Sequence, residues 1–524
     1  MNPVNTIEAR TLKDWLRDGR ELALLDVREQ GDFSRGHLLF ASNMPLSRLE
    51  PMLANLVPRR NARLVLCDAG DDGAARRAAA AAASFGYGDV SVLAGGTAGW
   101  RAAGHQIFSG VNVPSKAFGE HVEHRHDTPR IAARELAALG SAGTNMVILD
   151  SRPLEEFRTA SIPGAIDCPG AELVYRVFDA APDPDTLVVV NCAGRTRSII
   201  GAQSLINAGV PNRVVALQDG TMGWQLAGLE PTHGCTGQAA APSAEGLVRA
   251  QAAARAVGVR HGVREIEEAM LQGFRAERDA RTLYLFDVRT REEYEAGHYP
   301  GSRHAPGGQL VQATDEFAPT RHARIVLIDG DGVRATMTAS WLRQLGWDDV
   351  FVLRRATEGA LDRGPYTPTL LDFEFVSSVT AQDLARELAG GADLLVVDCA
   401  TSVQYRRRHV PGALWCMRTR LAQLPAAAAC VFSSPNGVYA HYCARDLLRL
   451  RPQAGARVLE GGSRAWFDAG LAEESGAGRM IGEADDVWIK PYQRPEGAAA
   501  MQTYLRWETG LLEQVARDGD ARFR

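Results

Sequence analysis

Val188-Val189-Val190-Asn191-Cys192-Ala193-Gly194-Arg195-Thr196-Arg197-Ser198, continued by Ile199-Ile200-Gly201-Ala202-Gln203-Ser204-Leu205-Ile206, decides the fold of this 524-residue chain. A β-branched run stops at a Cys, passes through a short Gly/Arg loop and resumes with helical periodicity. That pattern predicts a buried strand, a tight loop and a helix, with Cys192 just before the helix N-terminus. Loop amides in such a turn point inward as an anion-binding nest, and the helix dipole adds partial positive charge. Arg195 and Arg197 contribute two cations that do not deprotonate. Cys192 is therefore expected as a thiolate nucleophile that meets an anionic co-substrate. A core Cys at a strand end, the plainer reading, leaves two closely following arginines without a purpose.

The chain repeats itself around this stretch. A strand ending in Asp occurs four times, at Leu24-Leu25-Asp26-Val27-Arg28, Ile148-Leu149-Asp150-Ser151-Arg152, Leu285-Phe286-Asp287-Val288-Arg289 and Val396-Val397-Asp398-Cys399-Ala400. Eleven positions after each Asp stand His37, Ser161, His298 and His409. Turns of the form Pro163-Gly164, Pro300-Gly301 and Pro411-Gly412 follow in three copies, and the first has lost them. In the first three copies the nucleophile position lies 42 residues beyond the Asp and holds Asp68, Cys192 and Asp329. Counting back 32 positions from Trp100, Trp224 and Trp466 reaches Asp68, Cys192 and Ser434, which fixes that position in the fourth copy. A carboxyl cannot hold a sulfane sulfur, and a Ser hydroxyl is too weak an acid to ionise there. Only the second unit should be reactive. Cys67, one residue before its loop, should face the core.

A loop opened by Cys and six residues long, together with the Asp-x-Arg, His and Pro-Gly-Ala series, resembles the rhodanese (sulfurtransferase) family. The resemblance implies four tandem α/β domains, each a mainly parallel sheet with helices on both faces. It divides the chain into domain 1 (1–108), a linker (109–129), domain 2 (130–231, catalytic), a linker (232–258), domain 3 (259–366), domain 4 (367–471) and a C-terminal extension (472–524). It also implies that Cys192 carries sulfur as a persulfide from thiosulfate or a related anionic donor to cyanide or a thiol. Arg195 and Arg197 would then orient the donor, and the amides of Ala193, Gly194, Arg195, Thr196, Arg197 and Ser198 would cradle the sulfur. The repeated Asp and Arg are expected as a structural ion pair. Ala193 stands where thiosulfate-using members often carry Arg, so the donor stays open. Ser161, in place of His, is taken as a surface or turn difference. Two rival functions also stay open. Phosphatases and arsenate reductases of the same general fold use a longer loop than Cys192–Arg197. A scaffold or redox sensor would use Cys235 as its resolving thiol, although Cys235 reads first as a free linker Cys.

Net charge of −5 gives no excess of cations to neutralise phosphates, which argues against nucleic acid. No apolar run reaches membrane-spanning length, and the N-terminus lacks a signal-peptide pattern, so the cytoplasm is expected. The eight Cys include no Cys-x-x-Cys pair, which indicates neither zinc nor a disulfide framework. No cofactor is indicated. Residues 109–130, with His121, His124 and His126, read as a solvated linker, since too few metal ligands are visible. The segment 232–264 reads as a Gly/Pro/Ser-rich link and then a helix. The apolar residues of the extension, including Trp488, Tyr492, Tyr504, Trp507 and Leu511, need a surface. Another unit or the second subunit of a homodimer is the favoured cover, and the mouth of the active site is the alternative.

Overall fold

The structure, a computed structural model, describes residues 4–70, 73–354, 359–426 and 429–524; Met1–Pro3, the beginning of the segment read for a signal peptide, lie outside them. The run preceding Cys192 forms the strand Leu187–Asn191, fully buried as its unbroken apolar sequence requires. It lies in a five-stranded sheet in the order Arg130–Ile131, Val214–Leu217, Leu187–Asn191, Met146–Asp150, Ile166–Asp167, all pairs parallel. Numbered within the unit, the order is 1-5-4-2-3. The same order recurs in three further sheets, so the chain is α/β with four sheets of one topology, as expected from the sequence.

The helices Ala74–Ser84, Thr196–Asn207, Arg334–Gln344 and Val438–Leu450 follow the fourth strand of each unit. Parallel strands and right-handed crossovers bring the loops that precede these helices to the carboxyl edge of each sheet. The link before the third unit becomes the helix Ala244–Arg260, capped by the Ser243 side chain.

The Asp at the end of each second strand locks the corner of its unit. Asp26–Arg28, Asp150–Arg152 and Asp287–Arg289 are ion pairs of 2.6, 2.8 and 2.6 Å. Each Arg also donates to a backbone carbonyl eight positions on, at Gly36, Ala160 and Gly297. These are structural pairs, as the sequence suggested. The position eleven residues after the Asp is a buried corner where the chain bridges to the unit's last segment, at His37–Phe108, Ser161–Thr232, His298–Asp362 and His409–Glu474. Ser161 is fully buried rather than a surface residue, and its Oγ lies 3.0 Å from Thr232 Oγ1.

Contacts between units include specific polar ones beside apolar packing, such as that of Ile199 and Ile200 on the third unit's core. Thr320–Arg321 of the third unit adds an antiparallel strand to the first unit's sheet. Arg334 of the third unit meets Glu172 of the second at 3.0 Å, and Arg418 of the fourth meets Glu50 of the first at 2.7 Å. One expectation is corrected here. The segment read as a solvated linker is the helix Val113–His126, and it is buried over much of its length. Phe118 and Val122 enter the third unit's core, while Val113 and Ala117 pack on Leu511 and Val515 of the C-terminal helix Ala498–Asp518. The alternation of Glu and Arg hid this burial, because the partners of those charges come from other units. His124 and His126 are exposed, and no cluster of three or more ligating side chains is placed to hold a metal among the described residues. No helix of the described residues is long and apolar enough to cross a membrane.

Two corner residues should respond oppositely to neutralisation. Asp287→Asn leaves the buried Arg289 without its counter-ion and should lower the unfolding free energy by about 3–5 kcal/mol, read from urea denaturation. In the fourth unit Ala400 replaces the Arg, and burial pushes the Asp398 carboxyl up to about 6, against the pull of the Ala400 amide and His409. A carboxyl raised in the fold binds its proton more tightly there than in the unfolded chain, so its contribution to stability falls as pH rises from about 4 through 6. Asp398→Asn should therefore stabilise the protein at pH 7 and not at pH 4, as melting temperatures at the two pH values would show.

Candidate active site

Cys192 follows the strand Leu187–Asn191 and precedes the helix Thr196–Asn207, with 2% of its surface exposed. Its loop is fastened from both sides. The amide of Thr221 donates to the Cys192 carbonyl at 2.8 Å, and that of Met222 donates to the Ala193 carbonyl at 3.0 Å. Gly220 makes this possible: its φ is +55°, and a Cβ there would stand 2.3 Å from the Cys192 carbonyl oxygen. On the other side, the linker helix presses Gly119 against Thr196, where a Cβ would approach to 2.8 Å. Within the loop the Ser198 hydroxyl donates to the Arg195 carbonyl at 2.8 Å and lies 3.5 Å from the Cys192 sulfur.

The sister units show what such a loop holds. In the first, Asp68 accepts from the amides of Gly70 and Ala75 at 2.9 and 2.8 Å. In the third, Asp329 accepts from Gly332 and Ala335, both at 2.8 Å. In the fourth, Ser434 Oγ accepts from Ala440 at 3.2 Å. Each side chain at the nucleophile position is seated on amides at the start of its helix. Cys67 sits where expected, fully buried in the first unit's core; burial pushes its thiol well above the usual range.

The two loop arginines have different surroundings. Arg195 is enclosed by carboxylates: Nε donates to Glu120 Oε1 at 2.7 Å, Nη2 donates to Glu120 Oε2 at 2.9 Å and to Glu123, and Nη1 donates to Asp219 at 3.0 Å. Burial disfavours its charge, but these carboxylates outweigh burial and hold the guanidinium far above its ordinary value. Its charge is thus spent inside the protein. Arg197 pairs with Glu156 at 3.0 Å, and Lys490 of the C-terminal extension shares that carboxylate at 3.1 Å.

Cys192, Ala193, Gly194, Arg195, Thr196 and Arg197 line one cavity of about 270 Å³, and Ser198 lies behind the sulfur. Its other walls come from Gln30 of the first unit, Lys116 of the linker helix, Gln309 of the third unit, and Trp488, Tyr492, Tyr504 and Glu508 of the extension. The extension covers neighbouring units, the cover favoured from sequence, and also forms the cavity wall, which was the alternative. Glu508 is 1% exposed, accepts from the Thr196 hydroxyl at 2.6 Å and leaves its other oxygen buried with no hydrogen-bond partner among the described residues. Lys116 and Glu508 were missed because no local motif marks them. Only the apolar periodicity of the tail hinted at this wall. Cys235 does not line the cavity; it lies at the Ser161–Thr232 corner, whose hydroxyls hold its thiol below its ordinary value.

A model of the rhodanese-like domain matches residues 8–103, 132–227 and 270–360, more than half of the chain, and the chain belongs to that family. Its fold is also that of a thiosulfate sulfurtransferase from Pseudomonas aeruginosa, with 46% identity, a TM-score of 0.92 and coverage of 99% of both chains. Shorter matches join it to an HTH-type transcriptional regulator of Mycobacterium tuberculosis, 35% identical over 20% of this chain, and a putative sulfur carrier protein of Bacillus subtilis, 33% identical over 16%. The chain spans less than half of each of those two relatives, 45% in both cases.

Removing the Arg195 charge should reduce stability. Arg195→Met strands the buried Glu120 carboxylate and should cost about 3–5 kcal/mol. Arg195→Lys should recover only part of this, because an ammonium cannot replace the bidentate fork. Denaturant unfolding of the two variants checks both.

Proposed function

We propose that this rhodanese-type enzyme takes sulfane sulfur from thiosulfate or a related persulfidic donor onto Cys192 and passes it to cyanide or a thiol. The observation that carries this reading is the contrast among the four loops. Three seat an oxygen side chain on their own helix amides, whereas the second presents a sulfur at the same place, opening on a cavity. In the proposed reaction the Cys192 sulfur attacks the outer sulfur of thiosulfate. The S–S bond breaks, sulfite leaves with the bonding pair, and a persulfide remains. The acceptor then attacks the outer sulfur, and Cys192 leaves as thiolate; with cyanide the product is thiocyanate.

The loop amides supply fixed dipoles to the terminal sulfur in the way an oxyanion hole supplies them to oxygen. Arg197 brings positive charge to the donor's anionic end. Burial disfavours the Arg197 charge, and Glu156 followed by the Cys192 charge outweigh it and hold the guanidinium above its ordinary value. Closure of the cavity by other units and the extension favours small donors and acceptors.

Incubation with thiosulfate should add about 32 Da, one sulfur atom, to the intact protein. Cyanide should then remove the adduct and yield thiocyanate. Cys192→Ser should abolish both, whereas Cys67→Ser should retain both. Absence of an adduct and of thiocyanate, with cleavage of an aryl phosphate, would replace this reading by a phosphatase.

A further inference from the structure

Lys116 lies on the linker helix and lines the same cavity as Cys192 and Arg197, with 4% of its surface exposed. Its ammonium has an unusual setting. One N–H donates to the Val111 carbonyl at 2.8 Å, and the rings of Trp488, Tyr504 and Trp507 stand 5.0, 5.2 and 5.0 Å away. The rings favour a cation there. Among the described residues no carboxylate lies within ion-pair distance of Lys116, although Glu508 of the C-terminal helix and Asp315 and Glu316 of the third unit act on it from farther off. Arg197 acts on it with the opposite sign. Lys116 and Arg197 thus face one cavity, with Arg197 and Lys490 sharing Glu156 and with Glu316 and Glu508 also in the walls; an anion between the two cations offsets their mutual repulsion.

Resting on the sulfurtransferase reading, we propose that Lys116, and not Arg195, pairs with Arg197 to receive the anionic end of the sulfur donor. The loop motif suggested two arginines for that task. Arg195 gives four of its five N–H donors to the carboxylates of Glu120, Glu123 and Asp219, which also offset its charge, whereas Lys116 gives one N–H to a carbonyl and has no ion-paired carboxylate among the described residues. A sulfonate oxygen suits it, since an ammonium serves as a compact point charge that needs no fixed fork. Lys116 is then a donor-binding residue contributed from outside the catalytic unit, and the aromatic cage of the extension sets its position. Burial also pulls the ammonium down to about 8, against the raising influence of Glu508 and Asp315, so donor affinity should weaken as pH climbs through that region.

The test measures thiosulfate binding to full-length Cys192→Ala, in which no sulfur transfers and no side-chain oxygen caps the loop, by the fluorescence of Trp488 and Trp507 beside Lys116. Adding Lys116→Met should weaken binding by about tenfold or more, and Lys116→Arg should restore most of it. In the Cys192 protein Lys116→Met should raise KM for thiosulfate far more than it lowers kcat. Should Lys116→Met not fold, a pH series decides. Thiosulfate affinity should fall between pH 7 and 9 with Lys116 and stay level with Lys116→Arg, which keeps its charge. Equal affinity with and without the Lys116→Met change, or equal pH profiles of the Lys and Arg forms, would overturn the proposal while the Cys192 adduct still formed. Failure of any adduct to form on wild-type protein would instead overturn the sulfurtransferase reading itself.

Discussion

The amides at the start of the helix after the fourth strand require something electronegative in front of them. That requirement arises in every unit, because the same strand–loop–helix turn leaves N–H groups without intrahelical partners and sums their dipoles there. The first, third and fourth units satisfy it internally through Asp68, Asp329 and Ser434. The Cys192 loop offers sulfur instead. Four copies of one turn therefore yield three loops seated on a side-chain oxygen and one that presents a sulfur, the loop for which we propose an incoming anion. The sheet order is the same in all four, so the difference lies in the loop residues, the first of them above all.

The surrounding units complete what that loop begins. The linker helix supplies Glu120 and Glu123, which bind Arg195 and brace the loop from behind. The extension supplies Glu508 to Thr196 and Lys490 to the Glu156 carboxylate that holds Arg197. The extension is anchored in turn by Asp518 and Asp520 on Lys13 of the first unit and by Phe523 against Phe118. The second unit is thus set inside a frame built by the first and third units, the linker helix and the extension, which gives those units a structural part in the site.

The fold was legible because its signals are local and repeated. Strand-ending Asp residues, the His or Ser position and the Pro-Gly turn each report a backbone event within a dozen residues, and repetition fixed the register even where Ser434 replaced Cys. The identity of the loop residues was legible for the same reason. The distribution of charge was not. Arg195 and Arg197 are alike in sequence, but their roles are set by Glu120, Glu123 and Glu156, which reach them through tertiary packing. The linker helix was misjudged on this account: its polar residues signalled solvent when they were in fact buried partners for another unit's cations. Lys116 gave no signal, since a lone Lys in a polar stretch is ordinarily a solvated one.

The absence of an internal cap in the second unit has a structural consequence. A side-chain cap contributes about 1 kcal/mol to a helix start, and Cys192 is a poorer acceptor than Asp68 or Asp329. The second unit offsets this by other means: the Ser198 hydroxyl bonds the Arg195 carbonyl, Thr196 is tied to Glu508, and Arg195 is held by three carboxylates. The loop is held rigid from behind and from the sides, so the cradle stays formed without a resident oxygen. In the proposed reaction, rigidity of this kind would keep the amides oriented for a terminal sulfur before it arrives, which is the condition for stabilising it without reorganisation.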